Sequence, residues 1–275
     1  MNVKEIIDIM KEKRGVTMSL FFEHFQSASF PYVLTPFDTR YNLILVACFL
    51  LASLILIVGY HRNPLEREKM VVVMVILIVV LEVLRQIWAI SMGDYLFDEM
   101  LPFHLCGIQV FLMPLYLKIK SPRLLQFIYL TALPGALAAL LFNDTVFYKY
   151  PIMHFQTIQT FVIHTLIAIV PLFILIYTPF RPKLKWLVSS LLIMFGIMGF
   201  AWIVNYVAQG NYLFIRIPPQ DTPIEWMANW LGNPGYILGM MGLVIFIWLC
   251  MILPFEMASL KKTSVSHPKR YMRKN

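Results

Sequence analysis

The sequence predicts an all-α polytopic membrane protein with seven transmembrane helices, its N-terminus outside and its C-terminus in the cytoplasm. Of its 275 residues, 59% are hydrophobic and only 14% are charged, and the mean hydropathy is +0.71. This composition lies far from that of a soluble domain. Continuous apolar runs, rather than alternating ones, exclude a strand barrel.

Seven apolar stretches of about 20 residues are each long enough to cross ~30 Å of hydrocarbon as an α-helix. The connections are short, apart from the loop over residues 208–234. The predicted spans cover residues 41–60, 70–92, 101–119, 124–142, 155–177, 186–207 and 235–257.

Basic residues in the connections predict the orientation. The loops after the first, third and fifth spans are rich in Lys and Arg, for example Arg62, Arg123 and Lys183, whereas the intervening loops carry at most one. Because cytoplasmic loops carry the excess of Lys and Arg, the odd-numbered loops and the C-terminus are expected inside. The net charge of +8 is therefore interpreted as a topology signal, and no nucleic-acid partner is expected.

The chain divides into an N-terminal extension (1–40) with an amphipathic or interfacial segment, a transmembrane domain (41–257) and a basic cytoplasmic tail (258–275). The basic N-terminus conflicts with an outside location. Residues 13–17, which precede Met18, suit a translated ribosome-binding site upstream of a second start codon. We therefore hypothesise that residues 1–17 are not native.

Polar residues within the spans are expected to lie in the outer leaflet half. Polar side chains in hydrocarbon are costly and mark functional sites by default. Residues used only to join helices would be scattered in depth, so their convergence predicts one polar pocket open to the outer face. These residues are Glu82, Arg85, His104, Cys106, Gln109, Gln156, Gln159, Thr160, His164 and Asn205.

Cys106 is the candidate nucleophile, with His164 or His104 as the base that generates the thiolate. The alternative is that Cys106 is a small packing residue like Cys48 and Cys250. All three cysteines lie in apolar segments, so no disulfide is expected. Glu82 and Arg85, three residues apart, suit a structural ion pair, or else a site carboxylate and a guanidinium that binds phosphate.

A metal site built from His104, Cys106, His154 and His164 has suitable ligand types. His154 and His164 are separated by a helical rise of about 15 Å, which is too far for one ion unless the helix begins after His154. Neither a metal nor another cofactor is expected.

The sequence resembles the YwaF/TMEM164 family of integral membrane proteins. The resemblance rests on His104-Leu105-Cys106 at the start of span three, His164 in span five and Gly210-Asn211-Tyr212-Leu213 after span six, and it covers residues 35–255. It implies a multi-pass protein of the bacterial cell membrane that moves a fatty acyl chain between glycerolipids, with Cys106 and His164 as catalytic residues and a phospholipid or lysophospholipid as partner.

In this chemistry, His164 deprotonates Cys106, the thiolate forms a thioester, and a lysolipid hydroxyl takes the acyl group. Gln109, Gln159 or Asn205 are candidate donors to the oxyanion. The sequence does not distinguish transfer of the acyl group to a lysolipid from its hydrolysis by water. Two other classes stay open: a non-enzymatic transporter or receptor that binds a small polar ligand in the same pocket, and a scaffold whose polar residues only pair with each other.

Overall fold

The computed structural model describes residues 20–23, 30, 32–93, 95–143, 145–219 and 222–266, and every regular element within these ranges is a helix. No strand occurs within these ranges. Eight α-helices are seen there: α1 Thr39–Tyr60, α2 Pro64–Ser91, α3 Gln109–Ile119, α4 Pro122–Leu141, α5 Phe155–Tyr177, α6 Leu187–Ala208, α7 Pro223–Leu231 and α8 Gly235–Ser266.

Six of these helices, α1, α2, α4, α5, α6 and α8, are long and apolar enough to cross a membrane. The prediction of an all-α, multi-pass membrane protein is confirmed. The hypothetical second start at Met18 and most of the predicted interfacial segment lie outside the described residues, as does the end of the basic tail.

Local signals in the sequence determine where the long helices begin. The Asp38 side chain accepts the Tyr41 N–H at 2.7 Å and caps α1. Asn63 and Glu66 form a reciprocal capping box at the start of α2, with Pro64 in the first helical position. Such caps satisfy N–H groups that have no partner within the helix. At α5 the cap is His154, whose Nδ1 accepts the Gln156 N–H at 3.0 Å.

Helix α5 forms the centre of the bundle and packs against α1, α2 and α4. Of the 18 most apolar consecutive residues of α5, 67% are buried inside the protein. The corresponding fraction is 61% in α4 and only 6% in α1. The central contacts are apolar and include Ile78, Ile128, Ile167 and Phe173. Helices α4 and α5 are therefore shielded from lipid, whereas α1 presents most of its surface to it.

Hydrogen bonds between helices show which helix ends lie together, and they define two ends of the bundle that we call the polar end and the basic end. At the polar end, the Tyr41 hydroxyl at the start of α1 donates to Leu140 O near the end of α4 at 2.9 Å. At the basic end, the Tyr177 hydroxyl at the end of α5 donates to Leu56 O of α1 at 2.6 Å. The starts of α1, α3, α5 and α8 lie at the polar end, and so do the ends of α2, α4 and α6.

The third predicted span differs from the expectation. A helix was expected from Leu101, but helical structure begins only at Gln109, so the prediction that His104 and Cys106 lie in regular helical turns was wrong. The physical reason is that tertiary contacts take the backbone groups of this segment. Arg85 and Gln86 bind Met100 O, and the Tyr212 hydroxyl accepts the Leu101 N–H at 3.0 Å.

We expect Tyr41→Phe to lower the stability of the bundle. The buried Tyr41 hydroxyl holds α1 to the end of α4, and its loss leaves the Leu140 carbonyl without this bond, at a cost of about 1 kcal/mol. Thermal unfolding in detergent should show a melting temperature lower by about 2–4 °C. Tyr60→Phe is the matched control, because Tyr60 is 70% exposed. Equal melting temperatures for the two variants would contradict the role of this bond.

Candidate active site

Cys106 lies in an irregular turn, residues 104–108, that leads into α3. Its side chain is partly buried and packs against the central apolar cluster. A Cβ atom added at Gly135 of α4 would lie 3.4 Å from the Cys106 Sγ. The absence of a side chain at Gly135 therefore lets the α4 backbone approach the thiol closely.

Four consecutive backbone N–H groups, those of residues 104–107, have no hydrogen-bond acceptor in the described part of the chain. Among the described residues, no hydrogen bond is formed by the N–H groups of His104, Leu105, Cys106 or Gly107, whereas the Ile108 N–H donates to His104 O at 2.9 Å. They occupy the place of the unpaired donors at a helix N-terminus, which carry a partial positive charge. Cys106 therefore belongs to a run of residues whose backbone donors are available to bind an anion.

Gln109 holds this turn in its irregular shape. Its Nε2 donates to Leu105 O at 3.1 Å and to the Thr131 hydroxyl of α4 at 3.0 Å. Both amide hydrogens are thus engaged, so the prediction that Gln109 donates to an oxyanion is not supported by its geometry. Its Oε1 is buried and has no partner among the described residues.

His164 is held in one tautomer. Its Nδ1 lies 2.6 Å from Thr160 O, one turn earlier in α5, and 3.3 Å from the Thr160 hydroxyl. A carbonyl oxygen only accepts hydrogen bonds, so Nδ1 carries the proton and the Nε2 of the neutral imidazole has a lone pair. Nε2 has no hydrogen-bond partner in the described part of the chain. His164 therefore has the form that a general base requires.

The second histidine of the prediction, His104, contacts aromatic rings. Its ring centroid lies 5.1 Å from that of Tyr212 and 5.0 Å from that of Phe214. The described residues provide no hydrogen bond from Cys106 to either His104 or His164. The described residues therefore show no direct pairing of the thiol with an imidazole.

Glu82 and Arg85 form a bidentate ion pair within α2. Arg85 Nε donates to Glu82 Oε2 at 3.0 Å, and Arg85 Nη2 donates to Glu82 Oε1 at 2.6 Å. The same Nη2 reaches Met100 O at 2.7 Å, and Gln86 Nε2 reaches it at 2.9 Å. The pair therefore also binds the backbone segment that precedes Cys106, as a structural ion pair would.

Asn205, near the end of α6, binds the backbone of Tyr212 through two hydrogen bonds, which we call the Asn205–Tyr212 clamp. Its Oδ1 accepts the Tyr212 N–H at 2.6 Å, and its Nδ2 donates to Tyr212 O at 2.9 Å. The Tyr212 hydroxyl in turn donates to Phe97 O at 2.7 Å. A Cβ at Gly210 would lie 2.7 Å from Asp98 O, so only glycine permits this approach. Asn205 thus acts through Tyr212 on the backbone before Cys106.

The remaining predicted residues lie in the first turns of α5. Gln159 Nε2 donates over a long distance, 3.4 Å, to Leu81 O of α2, and Gln156 Oε1 is buried without a partner in the described residues. His154 caps α5 and its Nε2 also lies 2.8 Å from Glu23 O. No group of three His, Cys, Asp or Glu side chains that could hold a metal ion is found within the described ranges.

Sequence reasoning missed the backbone donors around Cys106 and the roles of Thr131, Gly135 and Tyr212. Pro102 and Gly107, on either side of Cys106, were the available signal, because they favour an irregular backbone. Thr131 and Gly135 lie four residues apart on one face of α4, which is a spacing that permits close helix contact.

Comparison with known proteins gives one positive finding. The sequence model of the TMEM164 family matches residues 36–252 of the chain. No curated protein and no solved structure matches.

We expect Gly107→Ala to disturb the turn around Cys106. A Cβ at Gly107 would lie 2.8 to 2.9 Å from the backbone of Pro102, so the turn must shift. Overpacking of this kind costs about 1–3 kcal/mol. The variant should unfold at a lower temperature, and the rate at which a maleimide alkylates Cys106 should change in a background with Cys48 and Cys250 replaced by Ser.

Gly242→Ala is the matched control, because a Cβ there meets nothing within 4 Å. It should preserve both the melting temperature and the alkylation rate. An unchanged alkylation rate in Gly107→Ala would contradict the proposed shape of the turn.

Proposed function

Since the chain belongs to the TMEM164 family, we propose that it is a membrane acyltransferase that moves a fatty acyl group between glycerolipids. Cys106 carries the acyl group as a thioester, and His164 is the base. The donor is a phospholipid and the acceptor a lysophospholipid. The proposed site opens to the outer leaflet of a bacterial cell membrane.

One observation carries this proposal: the backbone N–H of Cys106 and those of the residues beside it have no acceptor in the described part of the chain. Donors of this kind at a helix N-terminus stabilise a thiolate. They also stabilise the oxyanion of a tetrahedral intermediate when they lie beside the attacked carbonyl. The N–H groups of Cys106 and Gly107 replace the predicted side chains Gln109 and Asn205 as the best candidates for that role.

The first half-reaction consumes the donor lipid. His164 Nε2 takes the proton from the Cys106 thiol, and the thiolate attacks the ester carbonyl. The tetrahedral intermediate collapses to the thioester while the C–O bond breaks, and the imidazolium returns the proton to the departing lysolipid alkoxide. The Thr160 carbonyl keeps Nδ1 protonated throughout, which leaves Nε2 as the nitrogen that exchanges the proton.

The second half-reaction forms the new ester. His164 Nε2 removes the proton of the acceptor hydroxyl, the oxygen attacks the thioester carbonyl, and the thiolate leaves and is reprotonated. Water in place of the lysolipid gives hydrolysis. The thiol and the imidazole are not hydrogen-bonded in the structure, so the proposal requires that the Cys106 turn moves toward α5 when lipid binds, as catalytic contacts often tighten only with substrate.

We propose further that the chain crosses the membrane seven times. Met100 O accepts a hydrogen bond from Arg85, and Lys120 Nζ lies 2.7 Å from Glu68 Oε1. Along α2, Glu68 and Arg85 are about 25 Å apart. Residues 100–120 therefore traverse nearly the thickness of the hydrocarbon, although α3 itself has only 11 residues. The non-helical residues 101–107 are partly buried, and non-helical backbone is tolerated at this depth where it packs against protein.

The crossing number predicts the accessibility of introduced cysteines. With the N-terminus outside, Phe97→Cys at the polar end, just before the third span, should react with a membrane-impermeant maleimide in intact cells, because Phe97 is 63% exposed. Lys120→Cys at the basic end should react only after the membrane is opened. Reaction of both positions from outside would contradict the seven-span topology.

A phospholipid with an alkyne-tagged acyl chain should label the purified protein. The label should be removed by neutral hydroxylamine, which cleaves thioesters, and it should be absent from Cys106→Ala. His164→Gln should slow labelling about 10²–10⁴-fold, the usual contribution of a general base. Mass spectrometry of peptides identifies the labelled residue.

Cys48→Ala and Cys250→Ala are the matched controls and should retain the label. Melting temperatures of all variants separate loss of chemistry from loss of fold. Unchanged labelling of Cys106→Ala would exclude Cys106 as the nucleophile. Specific lipid binding without any covalent label would favour the non-enzymatic ligand-binding class.

A further inference from the structure

We propose that a crevice at the basic end of the bundle binds an anionic phospholipid, with its phosphate at Arg123 and one acyl chain between α3 and α6. The crevice has a volume of about 450 Å³ and is lined by α3, the start of α4 and the start of α6. It lies at the opposite end from Cys106. The inference therefore does not depend on the proposed acyl transfer.

The walls of the crevice are apolar and lie open to the side of the bundle. Leu115 of α3 and Leu192 of α6 face each other across it and are 44% and 67% exposed. Ile119, at the end of α3, is 52% exposed. Apolar surface on this scale is stable only against hydrocarbon. An acyl chain that lies in the crevice covers these walls.

The mouth of the crevice is basic. Arg123 lines it beside Ser121, the N-cap of α4, and no carboxylate lies within ion-pair distance of Arg123 among the described residues. The positive end of the α4 dipole points to the same place. Lys120 differs, because it is paired with Glu68 at 2.7 Å.

Two further lysines come from the segment that precedes α6. The Lys183 N–H donates to Gln126 Oε1 at 2.7 Å, which places Lys183 within about one helical turn of Arg123. The Nζ atoms of Lys183 and Lys185 lie 5.1 and 6.0 Å from the Trp186 ring centroid. The nearby carboxylate Glu256 accepts the Leu184 N–H at 2.6 Å. Positive charge therefore predominates around the crevice.

The combination of features identifies the occupant. A soluble anion would use the basic mouth but not the apolar walls, and a zwitterionic lipid would use the walls but bring its own positive charge to the mouth. Basic pockets between transmembrane helices bind anionic head groups. A diacyl lipid with a net negative phosphate head group satisfies both parts of the crevice.

The test measures lipid binding to the full chain in detergent by native mass spectrometry and by melting temperature. Phosphatidylglycerol is compared with phosphatidylcholine of the same acyl chains and with inorganic phosphate. We expect phosphatidylglycerol to bind and raise the melting temperature more than the other two. Arg123→Gln should weaken that binding about five-fold, as expected for the loss of one basic group near an anionic surface.

Arg62→Gln is the matched control, because Arg62 lies at the same end but outside the crevice and pairs with Glu66 at 3.8 Å. It should leave binding unchanged. Ser189→Leu, which fills the crevice between the walls, should weaken phosphatidylglycerol binding without removing charge. The proposal is overturned by equal binding of both lipids, by equal effects of Arg123→Gln and Arg62→Gln, by normal binding to Ser189→Leu or by stabilisation with phosphate alone.

Discussion

The structure depends on how the non-helical backbone before α3 obtains its hydrogen bonds. A polar backbone group without a partner is costly away from water, and a helix would have supplied those partners internally. Here they come from other elements: Arg85 and Gln86 bind Met100 O, Tyr212 binds the Leu101 N–H, and Gln109 binds Leu105 O. These contacts stabilise the irregular turn that presents Cys106.

This constraint explains why polar side chains collect at one end of the bundle. The Glu82–Arg85 pair and the Asn205–Tyr212 clamp each bind backbone from residues 97–101, so they stabilise the same segment from two sides. The buried charge of Glu82 is tolerated because the partly buried Arg85 neutralises it through two hydrogen bonds. Arg85, Gln109 and Asn205 are therefore supports for the turn and for the backbone that precedes it.

The two ends of the bundle thus have different physical characters. At the polar end, side chains bind the backbone of residues 97–105, while the N–H groups of residues 104–107 have no acceptor in the described part of the chain. At the basic end, Arg123 and Lys183 stay at the surface beside an apolar crevice. The first arrangement suits chemistry on an ester, and the second suits attachment to a charged lipid surface.

The sequence by itself determined the long helices and where two of them begin, because apolar length and the caps at Asp38 and Asn63 are local properties. The paired state of Glu82 and Arg85 was also predictable from their spacing of three residues. Only the tertiary structure decided that α3 begins at Gln109, that Asn205 binds Tyr212 and that the donors near the thiol are backbone groups. The reason is that these outcomes depend on hydrogen bonds between residues far apart in the chain, which compete with helix formation and leave no periodic pattern.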